Sequence, residues 1–267
     1  MMEPQPKADK DYLRLHLREL PYFRSLMRAV EAGFYASLAL PEPVLDIGCG
    51  DGHFATVAFD EKIDMGFDPA FASLREARRR GGYRWLCQAD GARMPYKDGS
   101  FSSAFSNSVL EHIPDVEAVL TEAGRVLKKG ALFVFCGPNQ SFLDALSVSR
   151  FLDLVHLHSL AGSYRNFFNR ISRHYNSNSP EIWTGRLTRA GFTLDRYWHY
   201  YPPDALQASE WGHYFGLPSL FWRLAAGRWV LVPERWNLVM TENYTRKHYH
   251  PEACEDGVCT FYVAYKN

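Results

Sequence analysis

Three acids and three glycines in the first half of the chain have the types and spacing to hold a nucleotide-like ligand. Asp46 interrupts an apolar run, Val44-Leu45-Asp46-Ile47, and Gly48, Gly50 and Gly52 follow at alternate positions, with Cys49 between the first two. Glycine lets the backbone turn sharply and lets a ligand approach it closely. Asp68 comes sixteen residues after Gly52, directly before Pro69, and Asp90 is flanked by Ala89 and Gly91. A carboxylate accepts two hydrogen bonds from a diol or one from an exocyclic amine, and charge-assisted bonds are the strong ones. Further on, Ser106, Asn107 and Val109 lead into the pair Glu111-His112. Histidine titrates near neutral pH, which suits a general base with a glutamate beside it.

Each residue also has a plainer reading. Asp68 serves as a helix cap and Asp90 as a turn residue. Asp46 bonds the N–H groups of the glycine turn, and Glu111-His112 opens a helix. His16, His53, His199 and His213 are isolated in the sequence and read as surface or core packing. His248, His250, Cys254 and Cys259 have zinc-ligand chemistry but lack the paired Cys-x-x-Cys spacing, so no metal is expected.

The elements that must position these groups alternate. Residues 44–47 fit a buried strand, and residues 54–59 a short helix. Strands are expected over 63–67, 83–89, 101–106 and 132–135, with helices over 70–80 and from Pro114 to a close at Gly130, after Lys128 and Lys129. Pro69 suits the first turn of the helix that follows it. Strand and helix alternating in this way predict a doubly wound sheet of buried parallel strands. Ahead of the first strand, residues 12–40 read as one or two helices broken near Pro21. Beyond residue 138 the pattern is less regular: helix over 141–160, a polar loop over 166–180, helix over 180–190, and strands over 192–200 and 258–265. The long connection 201–256 contains Leu217, Leu220, Phe221 and Leu224 on one helical face. Three segments result: amino-terminal cap helices (1–40), a ligand-binding α/β core (41–138), and the rest of the sheet with cap insertions (139–267).

The bulk properties exclude several classes. Thirty basic and thirty acidic residues among 267 balance, so no global field favours nucleic acid. Residues 1–10 are polar, without the apolar core of a secretory signal, and no run of 18 apolar residues exists, so a cytoplasmic chain is expected. The five cysteines are scattered and read as free thiols.

A dinucleotide fold wants Gly-x-Gly-x-x-Gly, but here the third glycine comes one residue early and His53 stands in its place. Motif I as it stands, with Asp68, Asp90 in Gln88-Ala89-Asp90-Gly91-Ala92-Arg93-Met94-Pro95, the stretch from Phe101 to Ile113, and Leu127-Lys128-Lys129-Gly130, resembles the class I S-adenosylmethionine-dependent methyltransferases. Within that class the likeness is to the methyltransferase type 11 subfamily that includes ubiquinone- and sterol-type enzymes. The resemblance implies a Rossmann-like, mostly parallel seven-stranded sheet with S-adenosylmethionine as donor. It implies that Asp68 holds the ribose diol and Asp90 the adenine amine, with Ala89 and Gly91 flanking the base. Asp46, Gly48, Cys49, Gly50 and Gly52 would form the methionine end, Pro69 would follow the ribose acid, and Ser106, Asn107 and Val109 would lie beside the methyl group. His112 and Glu111 are the catalytic candidates. The acceptor is expected to be a small molecule, whether aromatic, lipid-like or a sugar. A binding protein without turnover, or a nicotinamide-dependent oxidoreductase, is the alternative. Six of seven tryptophans lie beyond residue 180. They read as a cap core, as an acceptor pocket, or, through Arg223 and Arg228 beside Trp222 and Trp229, as a weak peripheral membrane contact.

Overall fold

A computed structural model describes residues 10–267. The expectation for the polar amino terminus, residues 1–10, falls almost wholly outside them. Two helices come first, α1 (Tyr12–Leu17) and α2 (Tyr22–Ala36). Asp11 caps α1 by accepting a hydrogen bond from the Arg14 N–H, and Pro21 stands in extended backbone just before α2. Then come β1 (Val44–Ile47), α3 (His53–Ala58), β2 (Ile63–Asp68), α4 (Phe71–Arg80), β3 (Tyr83–Gln88), β4 (Phe101–Asn107), α5 (Val116–Val126) and β5 (Leu127–Pro138). The remainder holds α6 (Ser147–Leu154), α7 (His158–Ser172), α8 (Pro180–Arg189), β6 (Phe192–Tyr200), α9 (Pro203–Phe215), α10 (Leu217–Ala226), α11 (Arg235–Arg246) and β7 (Cys259–Lys266).

The strands form one seven-stranded sheet in the order β3-β2-β1-β4-β5-β7-β6. The first five run parallel, and β7 inserts antiparallel between β5 and β6. Apolar clusters cover both faces. One packs α1, α2 and α3 against Phe105, Val134 and Phe261, and the other packs α5 and α8 against Leu45, Phe133 and Tyr262. Fully burying a side chain such as Phe34 or Phe105 stabilises the fold by about 1.5–3 kcal/mol. Chain order reverses between β1 and β4, so a crevice opens outside their carboxyl ends, where open α/β sheets bind ligands.

Four expectations are corrected. The helix begun after Pro114 is capped by the Asp115 side chain and ends at Val126, not Gly130. Leu127 is buried and pairs with Phe101, which requires extended backbone, and Gly130 takes φ +75° where the β4–β5 register shifts. Residues 141–160 are not one helix, because α6 and α7 are separated at His156, which adopts φ +61°. The polar stretch 166–180 is not all loop, because α7 runs through Ser172 to keep Phe168 in the core. Pro69 lies outside α4, whose cap position is Ala70.

The aromatic carboxyl half divides. Trp183 and Trp198 are core residues, whereas Trp211, Trp222 and Trp236 are exposed. Leu220, Phe221 and Leu224 of α10 also face solvent. Among the described residues, no helix is long and apolar enough to cross a membrane.

Candidate functional site

The glycine turn is tied to the end of β2. Gly48 N–H and Cys49 N–H both donate to the Phe67 carbonyl, at 3.0 and 2.9 Å. Gly50 N–H donates to Asp68 Oδ2 at 3.1 Å, and Ala70 N–H to Asp68 Oδ1 at 2.8 Å. Asp68 is therefore a clamp between the turn and the start of α4 rather than a helix cap. Each carboxylate oxygen has a second lone pair, so a diol can still be accepted there. Gly48 takes φ +79°, and a Cβ there would lie 2.5 Å from Val109 Cγ1. Val109 thus closes one wall of the turn. At Gly50 an added Cβ would meet nothing within 4 Å, so this part of the turn is open to a ligand.

Asp46 does not bond the glycine turn. It is buried and accepts a 2.6 Å hydrogen bond from the Tyr83 hydroxyl. Burial raises its pKa to about 7; the Tyr83 bond opposes the rise and nearby Asp68 adds to it. Burial also raises the Cys49 thiol well above its ordinary range. One strand further out, Asp90 Oδ1 accepts from Ala92 N–H at 2.9 Å, the turn geometry of the plainer reading, which leaves its Oδ2 available to a ligand. Ala89 N–H donates to the Asp68 carbonyl at 3.4 Å, and Gly91 packs against Val119. Gln88 Nε2 donates to the Pro69 carbonyl at 2.9 Å. Parallel neighbours in the order β3-β2-β1-β4 thus bring Asp90, Asp68, the turn and Asn107 to one edge of the sheet.

At the β4 exit the side chains are committed to the protein. Ser106 Oγ donates to the Ile47 carbonyl at 2.9 Å, and Asn107 Nδ2 donates to Glu31 Oε2 at 2.7 Å. Glu31 is wholly buried and also accepts from Arg28, Ser108 and Tyr200. Arg28 Nη1 also donates to Asn107 Oδ1 at 2.8 Å. Burial works against the Arg28 charge, but Glu31 outweighs it and keeps the guanidinium charged. The network joins α2, β4 and β6 across the crevice. Its sequence signal was a charged pair at i, i+3, Arg28 and Glu31, within an amphipathic helix. The partners Tyr83 and Tyr200 had no local signal.

The 3-10 turn Leu110–His112 carries the catalytic candidates. Glu111 is 3% exposed, and burial raises its pKa to about 8. Its Oε1 lies 3.6 Å from His112 Nε2. His112 is 42% exposed, yet desolvation lowers its pKa, as expected for a group in a recess. His112 Nδ1 lies 3.1 Å from the Arg173 carbonyl, which can only accept, so the ring proton is assigned to Nδ1. Tyr175 N–H and Asn176 N–H donate to the Glu111 carbonyl at 2.7 and 3.2 Å, and Asn176 Nδ2 donates to the Ile113 carbonyl at 2.6 Å. This strap carries His174 to the site, a residue the sequence reading left in a polar loop. Burial, with His112 next to it, lowers the pKa of His174 to about 3.

A chain of rings runs from the Glu-His pair to α2: His112–His174 5.2 Å, His174–Phe142 5.3 Å, Phe142–Phe168 6.4 Å, Phe168–His213 5.4 Å and His213–Phe23 4.2 Å between centroids. The inner rings, Phe142 and Phe168, are buried, and His112 at one end is exposed. The other histidines settle into structural roles. His16 and His53 form a buried pair at 3.0 Å, and His199 bonds Thr260 at 2.7 Å. His248 and His250 flank Asp204, while Cys259 is buried in β7; among the described residues these side chains are not gathered into one ligand cluster. All five cysteines are free.

Residues 45–135 match the family model described as a methyltransferase domain. Malonyl-[acyl-carrier protein] O-methyltransferase of Legionella pneumophila is 33% identical over 101 residues, 36% of this chain and 36% of that protein. 24-Methylenesterol C-methyltransferase 2 of Arabidopsis thaliana is 31% identical over 101 residues, 35% of this chain and 28% of that protein. The chain thus spans about a third of the length of these curated relatives. In structure it is similar to a Thermotoga maritima protein described as a possible histamine N-methyltransferase, with TM-score 0.57 and 18% identity over 96% of this chain and 95% of the other. That likeness concerns the fold. The glycine turn and its β2 clamp lie inside the matched residues, so this third of the chain is similar to a methyltransferase domain, and the sheet as a whole has the class I methyltransferase fold.

Proposed function

We propose that the protein transfers a methyl group from S-adenosylmethionine to a small, largely apolar acceptor. When bound, the donor presents a methyl carbon on a sulfonium, a built-in leaving group. The protein's part is alignment and exclusion of water. Asp68 receives the ribose diol while its two backbone bonds hold the turn. Asp90 receives the adenine amine through its second oxygen, between Ala89 and Gly91. Gly48, Cys49, Gly50 and Gly52 let the methionine tail lie close to backbone, and Asp46 draws its ammonium, which would favour the ionised carboxylate. Pro69 borders the ribose from the β2 end. Ser106, Asn107 and Val109 act as scaffold at the β4 exit. Their side chains already have protein partners, so they position the donor by shape and backbone.

The observation that carries the acceptor reading is the ring chain from His112 to Phe23. It supports an apolar or aromatic acceptor over a sugar. The curated relatives' names include O- and C-methyltransferases, so they leave the accepting atom open. Glu111 and His112 face the acceptor and act on it rather than on the donor. We extend the reading to weak contact with an anionic lipid surface, because Phe221, Leu224, Trp236 and Met240 are exposed on a stretch that bears Arg223, Arg228 and Arg235.

The test is transfer from methyl-labelled donor into cell extract fractionated by size and polarity. Label should enter apolar small molecules. Label confined to nucleic acid or protein, or no transfer to any fraction, would overturn the proposal.

A further inference from the structure

Three side chains with metal-ligand chemistry converge at the β4 exit. Glu111, His112 and His174 each offer a ligand atom, and these atoms lie within 4.8 Å of one another. The Glu111 carboxylate is 3% exposed, and its Oε2 has no hydrogen-bond partner. His174 Nδ1 is likewise buried without a partner. A buried polar atom left unmatched costs about 1–3 kcal/mol, so two in one place call for a shared partner. Arg28, whose charge acts on Glu111, is already engaged by Glu31 and Asn107.

The geometry points to a divalent cation held by Glu111, His112 and His174. His112 donates its Nδ1 proton to the Arg173 carbonyl, leaving the Nε2 lone pair toward Glu111. A backbone carbonyl holding the far nitrogen is how metal-binding histidines are oriented. The Tyr175 and Asn176 bonds to the Glu111 carbonyl already fix the backbone of both segments. One carboxylate and two imidazoles suit first-row ions such as Zn²⁺, Co²⁺ or Fe²⁺ and leave coordination positions open.

The consequence for the acceptor rests on the proposed methyl transfer. An open position beside the ring chain takes an oxygen, so the acceptor carries a hydroxyl. The cation lowers the pKa of that hydroxyl, and its proton passes to solvent past the 42% exposed His112. An oxygen lone pair then forms the new bond to the methyl carbon as the carbon–sulfur bond breaks, its electron pair staying on sulfur. His112 is a ligand in this scheme, not the base.

The full-length protein, stripped with chelator, is titrated with Co²⁺ alone and followed by calorimetry and visible absorption. One Co²⁺ per chain should bind. Glu111→Gln and His174→Ala should each weaken binding at least tenfold, with His174→Asn as a second variant should alanine unfold the strap. A His248→Ala/His250→Ala double variant should bind as the parent does. Unchanged affinity in both Glu111→Gln and His174→Asn, or loss in the double variant, overturns the site. A separate titration of each variant with S-adenosylhomocysteine reports on the donor site. Loss of Co²⁺ sites with donor-site binding intact supports the cation, and a folded parent binding S-adenosylhomocysteine but no Co²⁺ refutes the cation alone.

Discussion

Asp68 has two jobs that can be separated by changing the ligand as well as the protein. Its oxygens accept from Gly50 N–H at 3.1 Å and Ala70 N–H at 2.8 Å. Asp68→Ala removes both bonds, which should destabilise the fold by roughly 1–3 kcal/mol, given that the group is half-buried. That change alone would loosen the turn and weaken any ligand, so a drop in affinity does not identify a diol contact. The cycle with 2′-deoxy-S-adenosylhomocysteine does. A hydrogen bond to a charged group contributes about 1.5–3 kcal/mol, so deoxygenation should weaken binding to the parent about ten- to hundredfold. In Asp68→Ala the hydroxyl has lost its acceptor, and the two ligands should bind within about threefold of each other, less than half a tenfold step of 1.4 kcal/mol. Calorimetry supplies the four affinities. An equal ratio for parent and variant would show that Asp68 only clamps the turn, and the ribose assignment would be wrong.

Gly48→Ala places a Cβ 2.5 Å from Val109 Cγ1 at φ +79°. Strain and overpacking together should cost roughly 2–5 kcal/mol. Adding Val109→Ala should recover part of this in urea melts, and full additivity would mean that the two do not touch. Asp46 has its pKa raised from 3.8 to about 7. The unfolded chain ionises first, so this group lowers stability as pH rises from about 4 to about 7, and the effect is constant above that. Asp46→Asn removes the effect, so its stability relative to the parent should rise over that window by up to about 4 kcal/mol at 1.36 kcal/mol per pH unit. A flat difference between pH 4 and 8 would contradict the burial argument. In flotation, vesicles rich in anionic lipid should carry part of the protein and neutral vesicles little. Phe221→Ser with Leu224→Ser should abolish this, and equal flotation of parent and variant would dismiss the contact.

The parts that could be read from the sequence were those whose signal is local. A strand that ends in glycines, and acids that follow successive strands, mark the sheet edge directly. Val44 through Ile47 form the expected strand and Asp68 closes β2 for that reason, while Asp90 lies two residues past the end of β3. What could not be read depends on contacts made at a distance. Tyr83 reaches Asp46 across 37 residues, and Tyr200 reaches Glu31 across 169. His174 sits in a polar stretch that becomes a strap only when Tyr175 and Asn176 meet the Glu111 carbonyl. Gly130 looked like a helix end because Lys128 and Lys129 precede it. The buried pairing of Leu127 with Phe101 draws the chain into a strand instead.

Titration of the purified protein with S-adenosylhomocysteine, and in parallel with NAD, tests the central claim most directly. The predicted result is saturable binding of S-adenosylhomocysteine, about one per chain, weakened by Asp68→Ala, with no heat from NAD. Binding of NAD without S-adenosylhomocysteine, or of neither by folded protein, would contradict the account.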